Sequence, residues 1–364
     1  MVSRRQAVIA GILAVLVLAA AVALLIASGH DHRPPHRLLV GDAPSSTTST
    51  IAPTTTTDLP ATTTTAPPKR TTTTTSTTYT GPRGGIAFVG GTAQSQAIYV
   101  MDPDGSNIRH IADFETTPGT WDPNAGSGFS GVAWSPAGDL IAAGRGGKYG
   151  GGLEVMRPDG SNRRTLVFHN GLDHPSFSPD GKWLAFDQYG QQALGGYHEQ
   201  QMIIGVDGKN AHPLGSGAPA GDPAWSPDGN QIVIAQSALT IVGSDGSFVR
   251  KIDGPPQTIL SDPSWSPDGT WISFTATTTG SNPAYTADIY KVHPDGSGME
   301  RVTDNHDFSA SAAWSRDGSR MVFSRSVQSA QGRSTPQLWV MAPDGSDGRQ
   351  LTSAPNGADT PTWA

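Results

Sequence analysis

Residues 262–269 read Asp-Pro-Ser-Trp-Ser-Pro-Asp-Gly, and variants of this stretch recur along the chain. The repeats are centred, at intervals of 40 to 49 residues, on Trp134, Phe177, Trp225, Trp265, Trp314 and Trp363. Repetition at this period indicates a repeat architecture, and about 40–45 residues hold the four short strands of one β-propeller blade. The sequence therefore predicts an all-β fold, a six-bladed β-propeller.

The unit from 262 to 302 shows how one blade is encoded. Residues 262–265 predict an inner strand, and residues 266–269 predict a turn, because proline presets φ at its second position and glycine accepts a positive φ at its end. Alternation of polar and apolar residues over 271–274 predicts the second strand, and 288–292 predict the third. Pro-Asp-Gly at 294–296 then turns the chain into an outer strand.

A second turn, at the outer edge of each blade, also recurs six times. It is centred on Asp104, Asp159, Asp207, Asp245, Asp295 and Asp344, each followed by glycine. The domain begins at Gly85 with strands two to four of a blade and ends at Trp363 after an inner strand. We therefore expect the C-terminal strand to complete the first blade and close the ring, which removes a free sheet edge.

The repeated pattern Pro-x-Trp-Ser-Pro-Asp-Gly, Ile-x-Phe, Ile-Tyr-Val-Met and Asp-Gly resembles the β-propeller repeat of the TolB family. The resemblance covers residues 85–364. Phe177 replaces the tryptophan once, and Ala137 and Arg316 interrupt the turn. TolB carries a folded α/β domain before its propeller, which residues 30–84 do not supply. The resemblance implies a propeller with a binding role in the cell envelope, and not the specific partners of TolB.

The N-terminus predicts a membrane anchor. Residues 1–5 are a short basic tail, and the run from Ala7 to Ser28 has 22 positions without a charge, where about 20 suffice to cross a bilayer. The positive-inside rule keeps Arg4 and Arg5 cytoplasmic. We expect residues 6–28 to form a signal-anchor helix in the cytoplasmic membrane, with the propeller outside. The alternative is a cleaved signal peptide and a secreted protein.

Residues 29–84 predict a disordered linker between this helix and the propeller. They are rich in threonine, proline and serine and contain few apolar residues. Such a segment does not bury enough apolar surface to offset the entropy lost on ordering.

Composition excludes several classes of function. The net charge is −7 and basic residues do not cluster beyond the N-terminus, which argues against nucleic-acid binding. The absence of cysteine excludes disulfides, thiolate zinc sites and cysteine nucleophiles. No Gly-x-Ser-x-Gly elbow occurs between a strand and a helix. We predict a protein that is not an enzyme and needs no cofactor or metal.

The two kinds of tight turn lie at one end of the blades, so the long and variable loops lie at the other end, where we expect function. A propeller has a central channel between its inner strands, and we call its entrance on the loop side the channel mouth. The residues expected there are Asp173, His174, Asp222, Asp262, Phe308 and Asp359. Loop residues suited to binding protein or sugar are Tyr149, Tyr189, Tyr197, His198 and Tyr285.

The aspartates at the mouth have two interpretations. Their carboxylates converge on a cation or a cationic peptide, or each Asp before Pro starts an inner strand by accepting a hydrogen bond from neighbouring backbone. The leading functional hypothesis is a non-catalytic scaffold that binds a protein partner in the envelope. The alternative is a carbohydrate-binding propeller or a metal-dependent polysaccharide lyase that acts on envelope glycans, with His174 at its centre.

Overall fold

The computed structural model describes residues 85–92, 95–114, 128–146, 151–169, 171–191, 197–215, 218–279, 286–304, 307–329 and 332–364. The chain divides into two units, Met1–Thr73 and Thr74–Ala364, and every described residue belongs to the second. The predicted tail, anchor helix and linker lie outside these residues. Within them, no helix has the length and apolar character needed to cross a bilayer.

The described residues form β-strands and no α-helix. The first half contains β1 Ile86–Thr92, β2 Ser95–Met101, β3 Arg109–Asp113, β4 Gly128–Trp134, β5 Ile141–Gly146, β6 Gly152–Met156, β7 Arg164–Phe168, β8 Leu172–Phe177, β9 Trp183–Gln191, β10 Tyr197–Gly205, β11 His212–Pro213, β12 Asp222–Trp225 and β13 Gln231–Ala235. The second half contains β14 Ala238–Gly243, β15 Phe248–Asp253, β16 Thr258–Trp265, β17 Ile272–Thr278, β18 Ala287–Val292, β19 Glu300–Arg301, β20 Phe308–Trp314, β21 Met321–Ser326, β22 Gln328–Ser329, β23 Gly332–Arg333, β24 Gln337–Met341, β25 Arg349–Gln350 and β26 Ala358–Trp363.

Consecutive strands form antiparallel sheets of four. The sheets are β26-β1-β2-β3, β4-β5-β6-β7, β8-β9-β10-β11 and β12-β13-β14-β15. Two further groups of four, β16 to β19 and β20-β21-β24-β25, are joined by one parallel pair, Ala287 with Phe308. The prediction of an all-β, propeller-like fold is confirmed.

The C-terminal strand shares a sheet with the first strand of the domain. Ile86 pairs with Trp363 and Gly90 pairs with Ala358. Beyond the strands, the Ala364 N–H donates to the Gly85 carbonyl at 2.9 Å. β26 is therefore the inner strand of the sheet that β1 to β3 continue.

A serine and an aspartate close each inner turn. In the β12–β13 turn the Ser226 hydroxyl donates to Asp228 Oδ1 at 2.6 Å and accepts the Gln231 N–H at 3.0 Å. Asp228 Oδ1 also accepts the Asn230 N–H at 3.0 Å. Both side chains thus satisfy backbone groups that a tight turn leaves unpaired.

The two departures from the turn pattern keep this hydrogen bonding. Ser315 donates to Asp317 at 2.7 Å although Arg316 stands in place of proline. Where Ala137 replaces the usual aspartate, Ser135 donates instead to Asp139, also at 2.7 Å. The turn therefore depends on the serine and a carboxylate within reach rather than on the proline.

Both kinds of turn lie at the same end of the sheets, which we call the turn face. The Ser244 N–H, in an outer turn, donates to the carbonyl of Asn230, in an inner turn, at 2.9 Å. The Val206 N–H and the Lys182 carbonyl make the same kind of contact in the preceding sheet, also at 2.9 Å. The opposite end of the sheets is the loop face.

The aromatic residue of each repeat packs between neighbouring sheets. Trp265 Nε1 donates to the Ala224 carbonyl of the preceding sheet at 3.2 Å, and Trp314 Nε1 donates to Ser273 Oγ at 3.0 Å. Phe177 is 7% exposed and packs in the same way without a donor. The apolar area that such rings bury holds adjacent sheets together.

We expect Ser226→Ala to lower the free energy of unfolding by about 1–2 kcal/mol, since Ser226 is buried and its loss leaves the Gln231 N–H without an acceptor. Ser247→Ala is a matched control, because Ser247 makes the same 2.6 Å bond to an aspartate but is exposed. It should change stability by less than about 0.5 kcal/mol. Urea unfolding of the full chain, followed by tryptophan fluorescence, measures both, and equal losses would contradict the role of the buried turn.

Candidate functional site

The inner strands surround a central cavity of about 250 Å³. One position in each repeat, three residues before the aromatic residue, lines it: Gly131, His174, Asp222, Asp262, Ser311 and Thr360. The sequence repeat therefore brings six equivalent positions to one cavity, and three of the six residues carry a titratable side chain.

Four of these six residues adopt a left-handed backbone conformation. The φ angles are +51° at His174, +50° at Asp262, +56° at Ser311 and +46° at Thr360. In β8, β16 and β20 the strand register shifts at this point, which defines a β-bulge. Left-handed φ costs on the order of 1 kcal/mol or more for a residue with a side chain, and bulges redirect side chains. Four inner strands thus carry local backbone strain at the position that lines the central cavity.

His174, Asp222 and Asp262 form a compact cluster at this level. His174 Nδ1 lies 2.9 Å from Asp222 Oδ1, and one donor atom from each residue falls within 4.8 Å of the others. The backbone N–H of Asp262 donates to Asp222 Oδ2 at 2.9 Å. Among the described residues these three have the spacing required to share a metal ion. Asp222 therefore accepts a neighbour's backbone N–H and also lines the central cavity, and the binding of a cation or cationic peptide there stays a prediction.

The cluster shifts the pKa values of its own members. Burial acts to lower the pKa of His174, but the charge and contact of Asp222, with the charges of Asp262 and Asp173, outweigh it and raise that pKa to about 10. Burial also acts to raise the pKa of Asp222, which the His174 charge nevertheless lowers. Burial and the Asp222 charge raise the pKa of Asp262. At neutral pH, His174 is therefore an imidazolium paired with Asp222.

A second cavity of about 410 Å³ shares this cluster, and we call it the side cavity. Its walls are formed by His174, Asp187, Glu199, Gly221, Asp222, Ala235, Gln236, Ile259, Leu260, Ser261 and Asp262. It lies where β13 and β14 are joined by only residues 236–237, between the nine-residue strands β9 and β10 on one side and the eight-residue β16 on the other. The short connection leaves this space open.

Asp187 is the most buried carboxylate of the side cavity. It is 9% exposed, and its Oδ1 accepts a hydrogen bond from Gln201 Nε2 at 3.3 Å. Burial, reinforced by the charge of Glu199, raises the pKa of Asp187 to about 7. The sequence analysis did not identify Asp187 or Glu199, although an aspartate that directly follows the apolar run Leu184-Ala185-Phe186 of a strand is a detectable signal.

The other residues predicted at the channel mouth occupy different surroundings. Asp173 stands beside His174 in β8, and its buried Oδ1 has no hydrogen-bond partner among the described residues. The ring of Phe308 lies under the guanidinium of Arg333, at 4.2 Å. Asp359 Oδ1 accepts the Thr360 N–H at 2.8 Å. Phe308 and Asp359 line neither of the two cavities.

The predicted loop residues are described only in part. Tyr149 and Tyr285 lie outside the described residues. Tyr189 is half-buried in β9, where its N–H donates to the Gly171 carbonyl at 2.9 Å. Tyr197 and His198 begin β10, and their backbones pair with Gln191 and Gly190.

Comparison with known proteins relates the repeat to one family. A model of the TolB beta propeller domain matches residues 143–364, more than half of the chain. Over 105 residues the chain is 41% identical to the Tol-Pal system protein TolB of Gluconobacter oxydans (strain 621H). The match spans 28% of this chain and 23% of the relative, so it covers less than a quarter of that protein's length.

Two solved structures share the fold. TolB from Acinetobacter baumannii superposes with a TM-score of 0.60 at 17% identity, over 77% of this chain and 66% of that one. A putative TolB from Agrobacterium tumefaciens gives a TM-score of 0.54 at 18% identity, over 77% of this chain and 96% of that one. At these identities the likeness concerns the fold alone.

We expect Asp187→Asn to stabilise the protein more at pH 8 than at pH 5. The folded state holds a proton on Asp187 up to about pH 7, whereas an unfolded aspartate loses it near pH 4, so the wild type loses stability as pH rises through this window. The gain from the substitution should grow by on the order of 2 kcal/mol between about pH 5 and pH 8.

Urea unfolding at the two pH values measures this gain in the full chain. Asp347→Asn, which removes an exposed carboxylate on the turn face, is the control and should show no such growth. A gain for Asp187→Asn that is the same at both pH values would contradict the burial of an unpaired carboxylate.

Proposed function

Because the chain belongs to the TolB β-propeller domain family, we propose that it is a non-catalytic envelope protein whose propeller binds a partner protein at its channel mouth. In this proposal the sheets are the six blades of a ring that β26 closes. The observation that carries it is the cluster of His174, Asp222 and Asp262 at the central cavity, in which His174 and Asp262 have left-handed backbone.

The shape of the two cavities favours a partner that inserts a polypeptide segment over a partner that contacts only a flat surface. His174, Asp222 and Asp262 line both the central cavity and the side cavity, and the side cavity lies on the loop face. Polar groups held at fixed positions in a concave site supply specificity, while apolar walls such as Ile259 and Leu260 supply contact area. A protruding segment of a partner fits this combination.

The state of His174 suits the recognition of charged and hydrogen-bonding groups. Although burial acts to lower its pKa, the charges of Asp222, Asp262 and Asp173 raise it to about 10. A protonated histidine held against a carboxylate donates hydrogen bonds and carries a positive charge, and both properties serve contacts with a polypeptide.

We place the propeller outside the cytoplasmic membrane. In this proposal residues 6–28 anchor the chain in a single pass and residues 29–84 form the linker, and cleavage of the N-terminus with secretion is the alternative. The relative named as a Tol-Pal system protein supports an envelope location.

The test is affinity capture with the full chain in its native membrane, after mild chemical crosslinking. We expect a protein that is recovered with the wild type and reduced at least about tenfold with Asp222→Asn/Asp262→Asn, because these carboxylates line both cavities. The control is Glu300→Gln/Asp347→Asn, which removes two exposed acids elsewhere and should recover the same protein in full yield.

Two results would contradict the scaffold. The first is equal recovery of all captured proteins by the wild type and the Asp222/Asp262 variant. The second is recovery of glycan in place of protein, abolished by a chelator, which would support the carbohydrate alternative. A thermal melt of each variant, compared with the wild type, shows that a loss of capture does not come from unfolding.

A further inference from the structure

We propose that the side cavity receives one cationic side chain, an arginine or a lysine, from the partner polypeptide. The inference rests on the proposed binding at the channel mouth and adds the chemistry that the mouth recognises. It is carried by the charge, burial and dimensions of the side cavity.

The charge of the side cavity is unbalanced. Four acidic side chains line it, those of Asp187, Glu199, Asp222 and Asp262, and its one basic side chain is that of His174. That group already faces Asp222 at 2.9 Å. Among the described residues, neither Asp187 nor Glu199 forms an ion pair. A second positive charge in the cavity would therefore meet the acidic groups of Asp187 and Glu199, which no cation of the described residues pairs with.

The burial of Asp187 is a separate indication that a ligand completes the site. Asp187 is 9% exposed and lines the cavity, and its contacts are hydrogen bonds from Gln201 and from the Gly221 backbone, both uncharged. The acidic group at this position therefore has neutral partners only, and a cationic ligand in the cavity would give it a charged one.

Gln201 lies next to Asp187, and one of its own polar atoms lacks a hydrogen-bond donor. It is 2% exposed, and its Nε2 donates to Asp187 Oδ1 and to the Gly221 carbonyl. This fixes the orientation of the amide, and the buried Oε1 is left without a hydrogen-bond partner among the described residues. Gln201 therefore holds Asp187 Oδ1 in place from behind the cavity wall and supplies no charge to it.

The dimensions of the side cavity favour a side chain over a bare metal ion. A volume of about 410 Å³ holds a charged head group together with its hydrocarbon stem. Ile259 is 54% exposed at the cavity, and Leu260 lies beside it, so the stem has apolar surface to cover. Asp187 and Glu199 do not belong to the set of donor atoms close enough to share one ion, whereas a longer ligand reaches them.

The experiment compares two short probes of the same size that differ only in the head group of one side chain. The capped tripeptide Ala-Arg-Ala carries a guanidinium, and Ala-citrulline-Ala carries its neutral isostere. Binding of each to the full chain in detergent is measured by isothermal titration calorimetry at low salt. We expect the wild type to bind the arginine probe at least about tenfold more tightly than the citrulline probe.

The variant Asp187→Asn/Glu199→Gln should lose this preference, while the matched control Glu300→Gln/Asp347→Asn should keep it. Retention of the preference by the Asp187/Glu199 variant overturns the proposal, as does a wild type that does not distinguish the probes. Thermal stabilisation by Mn²⁺ or Ca²⁺ alone, without any binding of the arginine probe, also overturns it in favour of a metal site.

A third measurement separates this inference from the proposed function. Capture of a partner that depends on Asp222 and Asp262 but is unchanged in Asp187→Asn/Glu199→Gln leaves the scaffold standing and overturns the cation pocket. Arginine preference in the calorimeter, without any partner captured at the mouth, supports the pocket and overturns the scaffold alone.

Discussion

The hydrogen bond from each inner-turn serine to a carboxylate holds the two innermost strands of its sheet in register. In the β12–β13 turn the bond from Ser226 to Asp228 fixes where β12 ends, and therefore places the residue three positions before Trp225 at the central cavity. That residue is Asp222, and its counterparts in the other repeats line the same channel. Because a one-residue slip moves every side chain of a strand to the opposite face, the channel's composition depends on these turns.

The spacing to the aromatic residue explains how much of the site can be predicted from the sequence. His174, Asp222 and Asp262 all stand three positions before it, and the structure brings them together. Asp359 stands four positions before Trp363 and Phe308 six before Trp314, so both point elsewhere. The repeat thus predicts the all-β fold, its turns and three of the residues that line both cavities.

The side cavity could not be predicted in this way, because it depends on the lengths of strands and of their connections rather than on residue types. Asp187 and Glu199 reach it because β9 and β10 extend to nine residues, while the connection after β13 has only two. Loop lengths vary freely between repeats and follow no periodic pattern. The raised pKa values of Asp187 and Asp262 and the left-handed bulges indicate that stability is lost at this end of the fold, as is common where a site is held ready for a ligand.

The direction of β1 has a mechanical consequence. β1 begins at Ile86 on the turn face, where Gly85 joins it to the preceding chain, and runs to Thr92 on the loop face. A load drawn between the preceding segment and anything held at the cavities therefore acts along this strand. Such a force shears β1 against β2, with which it forms seven residue pairs, and against β26. The hydrogen bonds between these strands then bear the force together and do not break one after another. The sheet that joins the two ends of the domain is thus the one that bears tension.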